Sequence, residues 1–362
     1  MAAKTNEAAP WWSWAWPLAG WLAMAAAAAL GMGTFLAAMA AVILCGTVFA
    51  AVYHAEVVAH RIGEPFGTLV LAVAVTIIEV ALIVSVMVSA PAEKAGLARD
   101  TVFAAVMIVC NGIVGISLLV GGFRHREQGF QLQGASAALA VLATMTTLTL
   151  VVPNVMTSAP GPQFSRAQLA FAGVVSLVLY CSFVFVQTVR HRDYFLPVDG
   201  GDEDSHAPPP SASAALRSLG VLIAALIAVV GLAKFLTPSL EAGLAQLHAP
   251  KGVVGIVIAA LVLLPESLAA LRAARSNRLQ TSLNLALGSA LASIGLTIPT
   301  VAAVSLAMGM PLDLGLSVKD EVMLGLTLLL GVITLGTGRT TILQGIVHLV
   351  VFAAFLFFAM VP

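Results

Sequence analysis

Long apolar runs recur along this chain with almost no charge inside them, and that leaves few folds open. In a bilayer every backbone N–H and C=O must be bonded within the protein, so only helices or closed barrels span it. A helix needs about 20 apolar residues to cross. Eleven runs meet that need: 12–30, 34–53, 66–89, 101–121, 134–153, 166–189, 217–236, 251–273, 281–309, 320–336 and 342–361. Only 9% of the 362 residues are charged, against roughly 25% in soluble domains. The expected class is an all-α polytopic membrane protein of about 11 transmembrane helices. The alternative for the first two runs is one bent or re-entrant unit, since Gly31-Met32-Gly33 leaves almost no loop between them.

The formal net charge is zero, which gives no sign of a nucleic-acid partner. Cys45, Cys110 and Cys181 lie in apolar runs without metal-ligand spacing and read as small core residues. No cleavable signal peptide is evident, and the first run reads as a signal anchor. With eleven spans, most Lys and Arg, including Arg124, Arg126, Arg272, Arg275 and Arg278, fall on the amino-terminal side. The positive-inside rule then places the amino terminus in the cytoplasm of a bacterial-type inner membrane. Trp11, Trp12, Trp14 and Trp16 form an interfacial belt. The stretch around Asp199, Asp202, Glu203, Asp204, His206 and Pro208–Pro210 cannot bury a core and reads as a cytoplasmic linker, or as a sensor of cations or pH.

Two carboxylates break the apolar pattern at mid-span, Glu79 in Thr76-Ile-Ile-Glu-Val80 and Glu266 in Leu263-Leu-Pro-Glu-Ser267. A charge at bilayer centre costs roughly 2.5–3.5 kcal/mol on insertion scales, so each is a functional candidate. No Lys or Arg stands at that depth in any span to form a structural ion pair. The linker divides the chain into comparable halves: residues 1–33 as tail and extra helix, 34–190 as one five-helix repeat, 191–216 as linker, and 217–362 as a second five-helix repeat. Each repeat has its acid in its second span and a small-polar face in its third: Asn111, Gly112, Gly115 and Ser117 in one, Asn284, Gly288, Ser289, Ser293 and Gly295 in the other. Five is odd, so the second repeat is inverted, the plan of secondary transporters with a midplane site.

Taken together, Arg61-Ile-Gly-Glu-Pro-Phe-Gly-Thr68 with Thr76-Ile-Ile-Glu79, Leu264-Pro-Glu-Ser-Leu-Ala-Ala-Leu271 with Asn284-Leu-Ala-Leu-Gly-Ser289, and Thr337 to His348 resemble the ChaA-type calcium/proton antiporters of the cation/calcium exchanger superfamily. The resemblance implies ten core helices in two inverted repeats plus one amino-terminal helix. It also implies that Glu79 and Glu266 bind the cation and exchange it for protons. Vacuolar relatives carry Gly-Asn before each acid, where this chain has Ile77-Ile78 and Leu264-Pro265. The cation is therefore left open among Ca2+, Na+ and K+, and the same fold also serves sodium/calcium exchange.

The chemistry fits an exchanger. Calcium takes 6–8 oxygens, and two carboxylates neutralise one divalent ion. Without the ion they must take up protons, because two bare anions in a low dielectric repel. Pro265 removes the hydrogen bond to the Leu261 carbonyl, freeing a cation ligand or simply kinking the span. Thr76, Asn111, Asn284 and Ser289 read as ligands or their supports, with Asn284 and Ser289 on one helix face and Gly288 allowing close helix approach. Gln344 and His348 are weaker polar candidates, His348 chiefly as hydrogen-bonded structure. Glu64 and Arg61 read as an entrance or a helix cap. No cofactor is expected; the partners are the cations, protons and the bilayer, with oligomeric state open. An intramembrane enzyme is the alternative of another class, and neither H-E-x-x-H nor G-x-S-x-G occurs.

Overall fold

The structure is a computed structural model describing residues 9–63, 66–89, 94–196, 210–246, 250 and 252–361. The acidic stretch from Asp199 to Pro209, and Glu64, lie outside the described residues. The elements are α1 (Trp11–Leu30), α2 (Thr34–Ile62), α3 (Phe66–Ser89), α4 (Leu97–Met107), α5 (Val114–His125), α6 (Leu132–Thr146), α7 (Arg166–Phe185), α8 (Ala212–Gln246), α9 (Gly252–Val262), α10 (Leu264–Arg275), α11 (Leu279–Met308), α12 (Val318–Leu335) and α13 (Ile342–Met360). Among the described residues eight helical spans are long and apolar enough to cross a membrane, nine with the bent pair α9–α10. All eleven expected runs fall on these helices. The described apolar part of α3 is shorter, Val73–Val88, and α12 opens on Lys319, Asp320 and Glu321.

Contacts divide the chain into two units, Met1–Ala74 with Pro208–Leu240, and Val75–Ala207 with Glu241–Pro362. In the first, α1 and α2 are separate helices of 20 and 29 residues, so they are not one re-entrant element. Gly31, at φ 78°, starts the turn between them. Small residues set the packing. Gly20 faces Ala228 of α8 and Thr47 of α2, and Gly46 lies under the Trp16 ring. Trp11 is exposed as a belt residue, while Trp12 packs edge-on against Tyr53. His54 reaches the Ser13 carbonyl at 3.1 Å.

In the second unit α4, a π-helical segment (Ile108–Ile113) and α5 form one continuous rod, the most buried of the spans. α13 packs along α5, where Gly115, Gly122 and Gly345 remove side chains from the seam. α11 packs along α7 in the same way, with Gly295 against Tyr180 and Gly173 against Pro299. Two small clips close the connections. β1 (Gln128–Gly129) pairs antiparallel with β2 (Arg339–Thr340), and Gln163 bridges to Asp313. Cys110 is buried, but Cys181 is exposed, contrary to its reading as a core residue: its position on α7 turns outward.

Candidate cation site

Glu79 sits in the middle of α3 and is 3% exposed. Ser293 Oγ of α11 donates to its Oε2 at 2.5 Å. Its Oε1 is buried with no hydrogen-bond partner among the described residues. Thr297, one turn further along α11, lies beside the same carboxyl group and is fully buried. Thr76, one turn before the acid, is also buried. Ser289, Ser293 and Thr297 are spaced four apart, so α11 presents a stripe of hydroxyls on one face.

Glu266 stands in the first turn of α10, directly after Pro265. Helices α9 and α10 meet at a 55° bend around Leu263. The proline bears out the expected kink, because its ring and missing N–H prevent the helix from continuing. At such a break the new helix begins with unpaired backbone N–H groups, which favour negative charge in the first turn. The Leu263 carbonyl accepts both the Ser267 N–H at 2.9 Å and the Ser267 hydroxyl at 2.6 Å. Glu266 is half-buried.

Helix geometry relates the two acids in depth. α11 turns back after α10 and packs against it. At about 1.5 Å per residue, Glu266 lies ~13 Å from the end of α10 and Ser289 ~15 Å from the start of α11. Ser289 is therefore level with Glu266, and Ser293, which holds Glu79, is about one turn deeper. Glu79, held by Ser293, therefore lies ~6 Å along α11 from the level of Glu266. Among the described residues no three His, Cys, Asp or Glu side chains cluster as a metal site. A cation here would need oxygens from the two acids, hydroxyls, carbonyls and water.

The remaining candidates go elsewhere. Asn111 lies on the π-helical segment; its Nδ2 donates to Thr327 Oγ1 at 2.8 Å and its Oδ1 faces His348 Nδ1 at 3.3 Å. Its polar atoms are thus engaged by α12 and α13. Asn284 Nδ2 donates to the Phe195 carbonyl at 2.6 Å, and its Oδ1 accepts from Gln280 at 2.9 Å. Asn284 and Gly288 line a cleft with Gln187, Phe195 and Gln280, so Asn284 does not share the face of Ser289. Five residues turn a helix by about 140° past a full circle, which accounts for the separation. Gly288 has open space where a Cβ would be, so it is not a close-packing glycine. Gln344 is the capping residue of α13 with Thr341, and Arg61 is exposed in the last turn of α2. Sequence reasoning placed Ser293 only within a small-polar face, and it did not single out Thr297 or Thr327.

The profile of the family described as sodium/calcium exchanger protein matches residues 30–189 and again 217–361. Protein y4hA of Sinorhizobium fredii (strain NBRC 101917 / NGR234) is 52% identical over 359 residues, covering 98% of this chain and 97% of that protein. The sodium-potassium/proton antiporter ChaA of Escherichia coli (strain K12) is 38% identical over 316 residues, 86% of this chain and 85% of that protein. Among solved structures, native YfkE superposes with a TM-score of 0.73 at 17% identity, over 97% of this chain and 100% of that one. The H+/Ca2+ exchanger CAX gives 0.71 at 13% identity, over 95% and 86%. These last two likenesses speak for the fold.

Proposed function

The chain belongs to the sodium/calcium exchanger protein family and is a cation antiporter of the membrane, and from that premise we propose that it exchanges cytoplasmic cations for external protons at Glu79 and Glu266. The observation that carries this reading is Glu79 itself. It is a buried carboxyl group with one oxygen held by Ser293 and the other unpartnered among the described residues. No ion pair reaches it among those residues, so its charge is left for a mobile cation or a proton to neutralise. Glu266 completes the pair about one turn away in depth, on a broken helix of the kind that lines transporter sites.

The cycle is set by charge. Cation and protons compete for the same two carboxylates, and a state with both bare is disfavoured in low dielectric. One calcium for two protons conserves charge at the site; with Na+ or K+ one carboxyl group keeps its proton. The sodium-potassium/proton activity named for the Escherichia coli relative brings Na+ and K+ into the substrate set beside Ca2+. Alternating access would move one repeat against the other. Two facts support the repeat plan: the family profile matches twice, and the α5–α13 seam has its counterpart in α11–α7.

The test uses everted membrane vesicles with an acid interior and a ΔpH-sensitive dye, adding Ca2+, Na+ or K+ separately. Wild type is expected to collapse ΔpH with at least one cation, and Glu79→Gln and Glu266→Gln to lose the Ca2+ response and most of any Na+ or K+ response. Silent wild type with every cation, or mutants that exchange as wild type does, would overturn the proposal.

A further inference from the structure

Five arginines from three separate stretches of chain meet at one end of the second unit. Arg124 stands in the last turn of α5 and Arg126 directly after it, Arg272 and Arg275 in the last turn of α10, and Arg339 on β2. All five are exposed. The backbone that carries them is fixed. His125 Nε2 donates to the Arg275 carbonyl at 3.0 Å, and Gln128 Nε2 donates to the Ala274 carbonyl and to Asn277 Oδ1, each at 3.0 Å. Gly129 pairs with Arg339 across the β1–β2 clip. Arg126 is held at φ 67°, a conformation that residues with a Cβ rarely adopt.

Arginine at a helix end can serve the helix itself, by bonding the last carbonyls. Here those acceptors have other donors. In α10 the Arg272 and Ala273 carbonyls accept from the Ser276 N–H at 3.1 Å, that of Ala274 from the Asn277 N–H at 3.2 Å and from Gln128, and that of Arg275 from His125. At the end of α5 the Gly122 carbonyl accepts the Arg126 N–H and the His125 carbonyl the Glu127 N–H, both at 2.8 Å. Among the described residues no hydrogen bond or ion pair engages the guanidinium of Arg124, Arg126, Arg272 or Arg275. Arg339 has Glu127 at 3.9 Å, with both side chains in the open, which counts for little. Four guanidinium groups with five N–H donors apiece thus stand exposed on a rigid frame.

The level of the frame points to its partner. α5 ends one span and α10 ends the bent pair. Phe123, one residue before Arg124, is apolar surface at 71% exposure, so the arginines begin where the lipid-facing surface stops. That is the height of lipid phosphates, and the guanidinium fork matches a phosphate in bidentate geometry. The positive-inside rule assigns this end to the cytoplasm, where the leaflet surface is negative. We propose that the joined ends of α5 and α10 form a binding surface for anionic phospholipid, with the phosphate between Arg124 and Arg126 on one side and Arg272 and Arg275 on the other. Phe123 lies against the acyl chains. The contact anchors the end of α10, the helix that carries Glu266 nine residues before Arg275.

The test needs no transport, so it stands apart from the antiporter reading. Full-length protein is placed in phosphatidylcholine vesicles with a trace of photoreactive phosphatidylglycerol, and labelled peptides are mapped. Wild type is expected to be labelled at the α5 and α10 ends. Excess plain phosphatidylglycerol should suppress that labelling, and excess phosphatidylcholine or inorganic phosphate should not. Arg124→Gln with Arg275→Gln should need more than ten-fold more photoreactive lipid for equal labelling there, at about five-fold per arginine. Arg166→Gln, at the opposite end of the bundle, should change nothing. Labelling spread evenly over the apolar faces, or suppressed by inorganic phosphate, would overturn the proposal. So would labelling that appears only after Asp199, Asp202, Glu203 and Asp204 are changed to amides, because the chain's own acidic stretch would then be the occupant. The competition arm uses wild type alone and decides the matter even if the double variant fails to insert.

Discussion

A buried carboxylate that accepts one short hydrogen bond is partly neutralised and partly available, and this division makes the Glu79–Ser293 pair informative. A hydrogen bond to a charged group contributes about 1.5–3 kcal/mol. Ser293→Ala removes the donor and little volume, so apparent cation affinity should fall by roughly 10- to 100-fold with exchange still measurable. Calcium or sodium titration of the dye response checks this; unchanged affinity would separate Ser293 from the site. Glu79 and Glu266 were legible from sequence because a charge in an apolar run has no other ready explanation. Ser293 was not, because hydroxyls are common in membrane helices and most bond their own backbone, as Thr300 does to Leu296 at 2.8 Å. Asn111 was legible as a polar intrusion but not in its direction. Periodicity of 3.6 fails across Ile108–Ile113, where each π turn takes an extra residue and rotates the rest of the span about its axis.

At the scale of elements, the α9–α10 break comes from one residue. Proline at the start of α10 separates two short helices that would otherwise make a single span. Pro265→Ala restores an N–H and allows the helix to run through Leu263. The expected outcome is a thermal midpoint equal to or above wild type in detergent, together with a several-fold loss of cation-driven proton flux. Gain of order with loss of transport is the signature of a bend kept for function. Equal flux in the variant would reduce the bend to packing. The bend could be expected from Leu-Pro-Glu alone, while the close packing of α13 on α5 could not. Gly115, Gly122 and Gly345 form that seam, and glycine in a membrane helix marks close approach only when its partner is known. Gly288 makes the same point from the other side, since it faces open space.

For the whole molecule, the sum of charges at the site decides what drives transport. Ca2+ exchanged for two protons at two carboxylates moves no net charge, so membrane potential should neither speed nor slow it. In proteoliposomes, clamping the potential with valinomycin and graded K+ should leave the rate of ΔpH-driven 45Ca2+ uptake unchanged. A pH gradient alone should suffice, with Na+ absent from both sides. A sodium/calcium exchanger of the same fold predicts the reverse: uptake driven by a Na+ gradient at equal pH, and accelerated by potential whenever more than two Na+ move per Ca2+. Glu79→Gln separates the readings further. One remaining carboxylate can neutralise a monovalent ion but only half of a calcium. Any residual exchange in this variant should therefore favour Na+ or K+ over Ca2+, and a residual calcium preference would place a missing negative charge elsewhere in the second unit.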